Sequence, residues 1–307
     1  MRKPSVAITG VTGFVGSNLR RHLEPHVDIT GVSRLETAGT ATYEQFLAQP
    51  FAGDAIVHLA GKAHDLNKVA SEADYRRANV ELTKIVYEHF LRSSATTFIY
   101  VSSVKAVRDQ APARLTEDDA AAPATIYGKT KKMAEDYLLA RMPADKRVFV
   151  LRPCMIHGPG NKGNLNLLYG IVSRGFPYPL AAFGNRRSFL SVENLCFVIE
   201  RLLRGNVPSG VYNVADDGAL STNEVVELMA ASLGRPARLL RLPRPLVRAL
   251  AGVGSVLHLP LNSERLHKLT ENYVVDNSRL KGALGCDLPV SLSEGLMRTF
   301  SAFRERS

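Results

Sequence analysis

Three glycines spaced three apart, Gly10, Gly13 and Gly16, separate the apolar run SVAIT from a segment whose apolar residues recur three and four apart. A backbone that bare at a strand-to-helix junction restricts the fold sharply. The first glycine permits a sharp turn out of a strand. The second lets a ligand approach the main chain, and the third lets the helix pack closely on the strand. Unpaired N–H groups at the start of such a helix attract an anion, so the loop predicts a bound dinucleotide pyrophosphate. Thr12, Phe14 and Val15 lie between or beside the glycines and complete this cofactor loop.

The rest of the chain agrees with a strand followed by a helix, repeated. SVAITG (5–10), VDITGVSR (27–34), AIVHLAG (55–61), TFIYVSS (97–103) and RVFVLRP (147–153) are apolar runs bounded by Gly, Ser or Pro. Buried parallel strands have that character. The segments GSNLRRHLEP, EADYRRANVELTKIVYEHFLRSS and ATIYGKTKKMAEDYLLARM between them carry helical periodicity. The class is α/β, a Rossmann-type doubly wound parallel sheet.

After Pro153 the character changes. IHGPGNKGNLNLL is rich in Gly and Asn, RSFLSVENLCFVIERLL suggests a strand and helix, and GVYNVAD suggests one more strand. Helices with polar connections follow from residue 220. These signals predict a smaller mixed α/β substrate-binding C-terminal domain that the chain enters more than once. Residues 1–155 with about 188–215 are expected to bind the dinucleotide, and about 156–187 with 216–307 the substrate.

Composition narrows the class. The three cysteines, Cys154, Cys196 and Cys286, are scattered and odd in number, which suits a reducing cytoplasmic setting and no disulfide framework or metal site. No apolar run reaches the ~18 residues of a spanning helix. The nearest, PLVRALAGVGSVLHLPL (245–261), is interrupted by Arg248 and His258 and is expected to be a packed or surface helix and loop. The formal charge of +10 comes from scattered Lys and Arg without a long tract. That pattern argues against nucleic acid and suits sites for anionic ligands.

The end of the second strand selects between dinucleotides. A carboxylate there accepts from the 2′-hydroxyl of NAD, whereas an arginine pairs with the 2′-phosphate of NADP. Here Ser33 and Arg34 stand at that place, with no carboxylate before Glu36. The pattern favours NADP(H) over NAD(H), the alternative being that Arg34 is a solvated surface residue.

Tyr127 and Lys131 are four apart in a helical segment, so they share one face about a turn from each other. A phenol with its ordinary pKa near 10 exchanges protons poorly at neutral pH. A neighbouring ammonium favours the phenolate, so Lys131 is expected to lower the Tyr127 pKa and to hold a nicotinamide ribose. Ser102 and Ser103 end the strand 24 residues earlier.

The ordered set TGVTGFVG, HLAG, Asn79, VSS, YGKTK, LRP with IHGPG, and RSFLSVENL resembles the extended short-chain dehydrogenase/reductase family, in its nucleotide-sugar branch. The resemblance covers nearly the whole chain. It implies that Ser103 and Tyr127 hydrogen-bond the reacting sugar oxygen and that Lys131 supports Tyr127. It places Leu59, Ala60, Gly61, Asn79 and Pro153 at the cofactor and Lys62 beside the substrate. Arg187 and Asn164 are implied at the diphosphate of a nucleotide sugar, with Arg265 as a further substrate residue. A homodimer through a bundle containing the Tyr127 helix is implied as well.

Departures from the family matter. A 4,6-dehydratase carries an Asp-Glu pair directly after its serine or threonine, where this chain has Val104 and Lys105. Lys105 either meets substrate phosphate or faces solvent. His157 is expected to be structural, His58 and His64 to be packing or loop residues, and Cys154 to line the pocket. The reading placed first is a 4-keto-reductase for a UDP-linked sugar of the quinovosamine type, serving surface-polysaccharide precursors. A UDP-hexose 4-epimerase uses the same residues and is the alternative. A non-catalytic NADP sensor has no use for an acid/base tyrosine.

Overall fold

The computed structural model describes residues 3–63, 71–161, 163–256 and 262–305. Its first half alternates as the apolar runs require. β1 (Ser5–Thr9) leads through the glycines into α1 (Phe14–Leu23), followed by β2 (Asp28–Ser33), β3 (Thr40–Thr42), α2 (Tyr43–Leu47) and β4 (Ala55–His58). Next come α3 (Glu72–Arg76), a π-helical turn (Arg77–Glu81), α4 (Leu82–Arg92), β5 (Thr97–Val101) and a 3₁₀ turn (Val104–Ala106). β6 (Ala111–Leu115), α5 (Ile126–Leu139) and β7 (Arg147–Pro153) complete this half.

The second half begins with β8 (Met155–His157), α6 (Asn164–Ser173), β9 (Phe189–Ser191), α7 (Val192–Arg204) and β10 (Gly210–Val214). It ends with α8 (Thr222–Ser232), α9 (Arg244–Val256), α10 (Ser263–Thr270), β11 (Tyr273–Val275), α11 (Ser278–Leu284) and α12 (Leu292–Arg304).

Seven strands form one parallel sheet in the order β10-β7-β5-β4-β1-β2-β3. Thr9 pairs with Val32 on one side and His58 on the other, so the order reverses at β1. Ligand crevices open at the carboxyl ends of strands at such a reversal. Alternate residues serve opposite faces. Val6, Ile8, Val57, Ile99 and Phe149 pack against Leu19 of α1 and Leu195, Val198 and Leu202 of α7. Ala7, Ile56, Phe98, Tyr100 and Val150 pack against Val86 and Phe90 of α4 and Leu138 of α5.

A separate apolar core joins α6, α8, α9 and α12 through Tyr169, Val226, Met229, Val247 and Phe300. This cap meets the sheet through two short parallel pairs, β8 with β9 and β6 with β11. No described helix is long and apolar enough to cross a membrane.

Candidate active site

The glycine loop is bare because its own backbone fills the space that side chains would take. Gly10 has φ of 71°, a conformation that favours glycine. A Cβ on Gly16 would lie 2.3 Å from the Gly10 carbonyl oxygen and 2.7 Å from Val11 Cα. Gly13 caps α1 without a side-chain hydrogen bond, which leaves first-turn N–H groups around Phe14 and Val15 for an outside acceptor. Thr12 and Gly13 are exposed there. The loop after β8 leans on this helix start, where the Asn18 amide donates to the carbonyls of Phe14 (2.8 Å) and Pro159 (3.4 Å). This cradle fits a dinucleotide pyrophosphate.

Across the strand reversal, α5 carries the candidate reacting side chains, Tyr127 and Lys131. The Asp109 carboxylate accepts from the Ala124 and Thr125 N–H groups at 2.7 and 2.9 Å, fixing where α5 starts. Gly128 lets that start approach the 3₁₀ turn closely, since a Cβ on it would meet the Lys105 carbonyl oxygen at 2.3 Å. The approach brings Tyr127 near Ser103, whose hydroxyl acts on the phenol. Ser103 is buried at the head of the 3₁₀ turn and accepts from the Lys105 N–H at 3.2 Å.

Lys131 is buried one turn further along α5. Its ammonium donates to the Val101 carbonyl at 3.0 Å and lies 4.8 Å from the Tyr100 ring centre. Gly61 faces it closely enough that a Cβ there would lie 3.2 Å from Nζ. Burial lowers the Lys131 pKa to about 8, while Glu135, the next turn on, favours the charged form. Burial pushes Tyr127 up to about 12, with the nearby Ser103 hydroxyl opposing it. The sequence-based expectation of a lowered phenol is therefore reversed in this protein, because desolvation outweighs any help from the ammonium.

Asn79 sits in the π-helical turn, a widening often found at functional sites. Its amide joins three elements, accepting from the Lys62 N–H (2.7 Å) and donating to the Lys62 carbonyl (3.1 Å) and Thr130 hydroxyl (3.0 Å). Asn79 thus holds the Leu59–Lys62 segment against α5. The Lys62 ammonium lies 5.7 Å from the Tyr75 ring centre. His58 is fully buried between Thr9 (2.7 Å) and Thr83 (3.0 Å). Burial and Lys131 pull its pKa down to about 3, as suits a packing residue. His64 lies outside the described residues.

At the end of β2, the buried Ser33 hydroxyl donates to the Leu35 carbonyl and sits 3.4 Å from the Thr40 hydroxyl. Its one proton is committed there, which leaves the exposed Arg34 as the group facing outward. Tyr43, which sequence reasoning missed, opens α2, with Thr9 and Arg34 near enough to act on its phenol.

Pro153 ends β7 and pairs with Val214. Beyond it, Cys154, Arg187 and Tyr273 come together at the cap. Arg187 is held by main-chain bonds to Leu220 and lies 3.7 Å from the Glu271 carboxylate. Burial lowers its pKa, and Glu271, Cys154 and Tyr273 favour its charge. Burial holds the Cys154 thiol well above its ordinary value, so it is no thiolate nucleophile, and it packs in the apolar core of the sheet. The Lys105 ammonium donates to the Asp109 carbonyl and stacks 4.6 Å from the Tyr273 ring centre. Tyr273 also acts on Arg187, so both cations lie near this ring. Asn164 opens α6 and is exposed, and Asn166 makes the bond to the Gly163 N–H at 3.0 Å. Arg265 belongs to α10, and its side chain lies outside the described residues. His157 is buried against Thr299 of α12 at 2.9 Å, a structural position.

Behind the reacting groups lies a buried ion pair that sequence reasoning missed. Glu135 is 0% exposed and Arg152 7%; the guanidinium meets the carboxylate at 2.7 Å, and the Ser102 hydroxyl donates to it at 2.5 Å. Tyr127, Lys131 and Glu135 continue one i, i+4, i+8 face of α5, and that spacing was the available signal.

A phosphate cradle at the strand reversal, with a serine, a tyrosine and a lysine across it, defines an enzyme that works with a nicotinamide dinucleotide. The sequence model of the NAD dependent epimerase/dehydratase family matches residues 6–215, and the chain belongs to that family. It is 29% identical to the UDP-glucose 4-epimerase of Vibrio cholerae, over 97% of this chain and 95% of the relative. It is 27% identical to the N-acetyl-α-D-glucosaminyl-diphospho-ditrans,octacis-undecaprenol 4-epimerase of Escherichia coli O157:H7, over 96% and 94%. Among solved structures, WbmG of Bordetella bronchiseptica, crystallised with NAD and UDP, superposes with a TM-score of 0.77. The match covers 99% of this chain and 96% of WbmG at 19% identity, a likeness of fold.

Proposed function

We propose that the protein reduces C4 of a UDP-linked 4-keto sugar of the quinovosamine type, with NADPH as cofactor. The observation that carries this reading is Tyr127, partly buried, placed near Ser103 and pushed up to about 12. At neutral pH it is a phenol, the form that donates a proton to an oxygen developing negative charge. Ser103 orients that oxygen, and the Lys131 ammonium supports the tyrosine and the nicotinamide ribose. When bound, the dinucleotide supplies the hydride. Gly10, Thr12, Gly13 and Gly16 would hold its pyrophosphate, Leu59, Ala60, Gly61 and Asn79 its nicotinamide half, and Arg34 a 2′-phosphate. Arg187 and Lys105, both near Tyr273, supply positive charge for a sugar diphosphate, with Lys62 and Asn164 as further contacts.

The reading includes a homodimer through α4 and α5, supported by exposed Ile85, Ile126 and Met133 on those helices, and a cytoplasmic setting. The second reading, a 4-epimerase, is favoured by the names of the Vibrio and Escherichia relatives. It requires Tyr127 to take a proton before returning it.

Nucleotide released by denaturing the purified protein separates the two. An empty protein that binds NADPH more tightly than NADH, and oxidises NADPH when given a UDP-4-keto-6-deoxy sugar, supports the reductase. Stoichiometric NAD retained through gel filtration, with C4 epimers formed from a UDP-hexose, overturns it.

A further inference from the structure

The segment that sequence analysis singled out as the nearest approach to a membrane anchor folds in part as α9, and its surface is unusual. Val247 and Ala251 are buried in the cap core. Leu246, Leu250 and Val253 are 48%, 51% and 54% exposed, at the i, i+4, i+7 spacing of a single helix face. On a helical projection these residues form one continuous apolar arc, of which the cap covers only one side. The opposite face carries Arg244 and Arg248, both exposed. Leu240, just before the helix, is 44% exposed as well.

Charge sets this face apart from an ordinary protein contact. Between Glu227 and Glu264 the sequence has Arg235, Arg238, Arg241, Arg244 and Arg248 and no carboxylate at all. Arg238, Arg241, Arg244 and Arg248 are exposed. An exposed apolar seam marks an interaction site. A helix with a Leu-rich face and an arginine face matches a bilayer interface, where acyl chains cover the seam and anionic headgroups neutralise the arginines.

We infer that α9 docks this protein on an anionic lipid bilayer, lying in the headgroup plane with Leu246, Leu250 and Val253 inserted. The occupant is the bilayer surface. The helix is far too short to span it, with 13 residues against the roughly 20 a crossing needs. α9 packs on α10, and the chain from α10 leads directly to Glu271 and Tyr273 beside Arg187. Docking by α9 therefore brings the cap side of the enzyme to the membrane.

Co-sedimentation of the full chain with vesicles tests this, comparing phosphatidylcholine alone with phosphatidylcholine containing about a third phosphatidylglycerol. Binding is expected to the anionic vesicles only, and to fall as salt is raised from about 0.05 M to about 0.5 M. Leu250→Asp is expected to weaken it by at least about tenfold, and Arg248→Ala by about fivefold. Both variants are checked for an unchanged melting temperature and circular dichroism. Should Leu250→Asp fail to fold, Arg248→Ala and the lipid comparison still decide. No sedimentation with anionic vesicles overturns the inference, as does equal binding by the two variants and the parent. A dimer that Leu250→Asp converts to monomer also overturns it, by showing that a second copy covers the seam.

Discussion

At Tyr127 and Lys131, burial favours the uncharged form of each side chain, in opposite directions on the pH scale. Spacing alone revealed that the two share a helix face. Spacing carries no information on desolvation, which is why the phenol's direction came out reversed. His58 shows the same physics with a consequence for stability. Its pKa falls from 6.5 to about 3 in the folded protein, so between those values the unfolded chain binds a proton that the folded one refuses. Stability is therefore fully present above pH 6.5 and falls as the pH drops through that window, by up to about 1.4 kcal/mol per pH unit. His58→Gln should flatten this part of the urea-unfolding profile between pH 6.5 and 4; an unchanged slope would assign it to other groups. Glu135 and Arg152 belong to the same scale. Glu135→Gln leaves Arg152 buried beside a neutral partner, and a loss of about 3–5 kcal/mol is expected in urea unfolding. Recovery of part of that loss by adding Arg152→Met would confirm the cause, and a loss under about 1 kcal/mol would show that water compensates the guanidinium.

Among the elements, β1, β2, β4, β5 and β7 were legible because each lies in a continuous apolar run, and α1, α4 and α5 because their apolar residues repeat at helical spacing. β3, β8 and β11 have three residues each, too few for any period to show. The π-helical turn was hidden for a different reason. It widens one turn of an otherwise regular helix, which barely disturbs the apolar repeat, yet it is what aims Asn79 at Lys62 and Thr130. Contact between α5 and the 3₁₀ turn depends on Gly128, whose missing Cβ leaves room for the Lys105 carbonyl. Gly128→Ala should move the start of α5 outward, at a cost of about 1–3 kcal/mol. Turnover should fall more than melting does, since Ser103 and Tyr127 lose their register. Equal activity in that variant would show that the turn can shift with the helix.

For the molecule as a whole, the reversal of strand order at β1 creates the crevice, and the glycine loop announced its position from the sequence. The cap was legible only in outline. Arg187, Glu271 and Tyr273 meet at one place although more than 80 residues separate the first from the others, and nothing in local pattern encodes that meeting. The ledge they form lies beside the short pairs β6 with β11 and β8 with β9, and the proposed function has dinucleotide and sugar meet across the ends of β5 and β7. Chemistry at that junction is tested by following hydrogen itself. NADPH deuterated at nicotinamide C4 is mixed with the protein and a UDP-4-keto-6-deoxy sugar, and the product is examined by mass and NMR. One deuterium at sugar C4 is expected for each NADPH oxidised, with transfer lowered by about 10²–10⁴ in Tyr127→Phe while NADPH binding is retained. Absence of deuterium at C4 in the parent protein, or undiminished transfer by Tyr127→Phe, would contradict the assignment of this site.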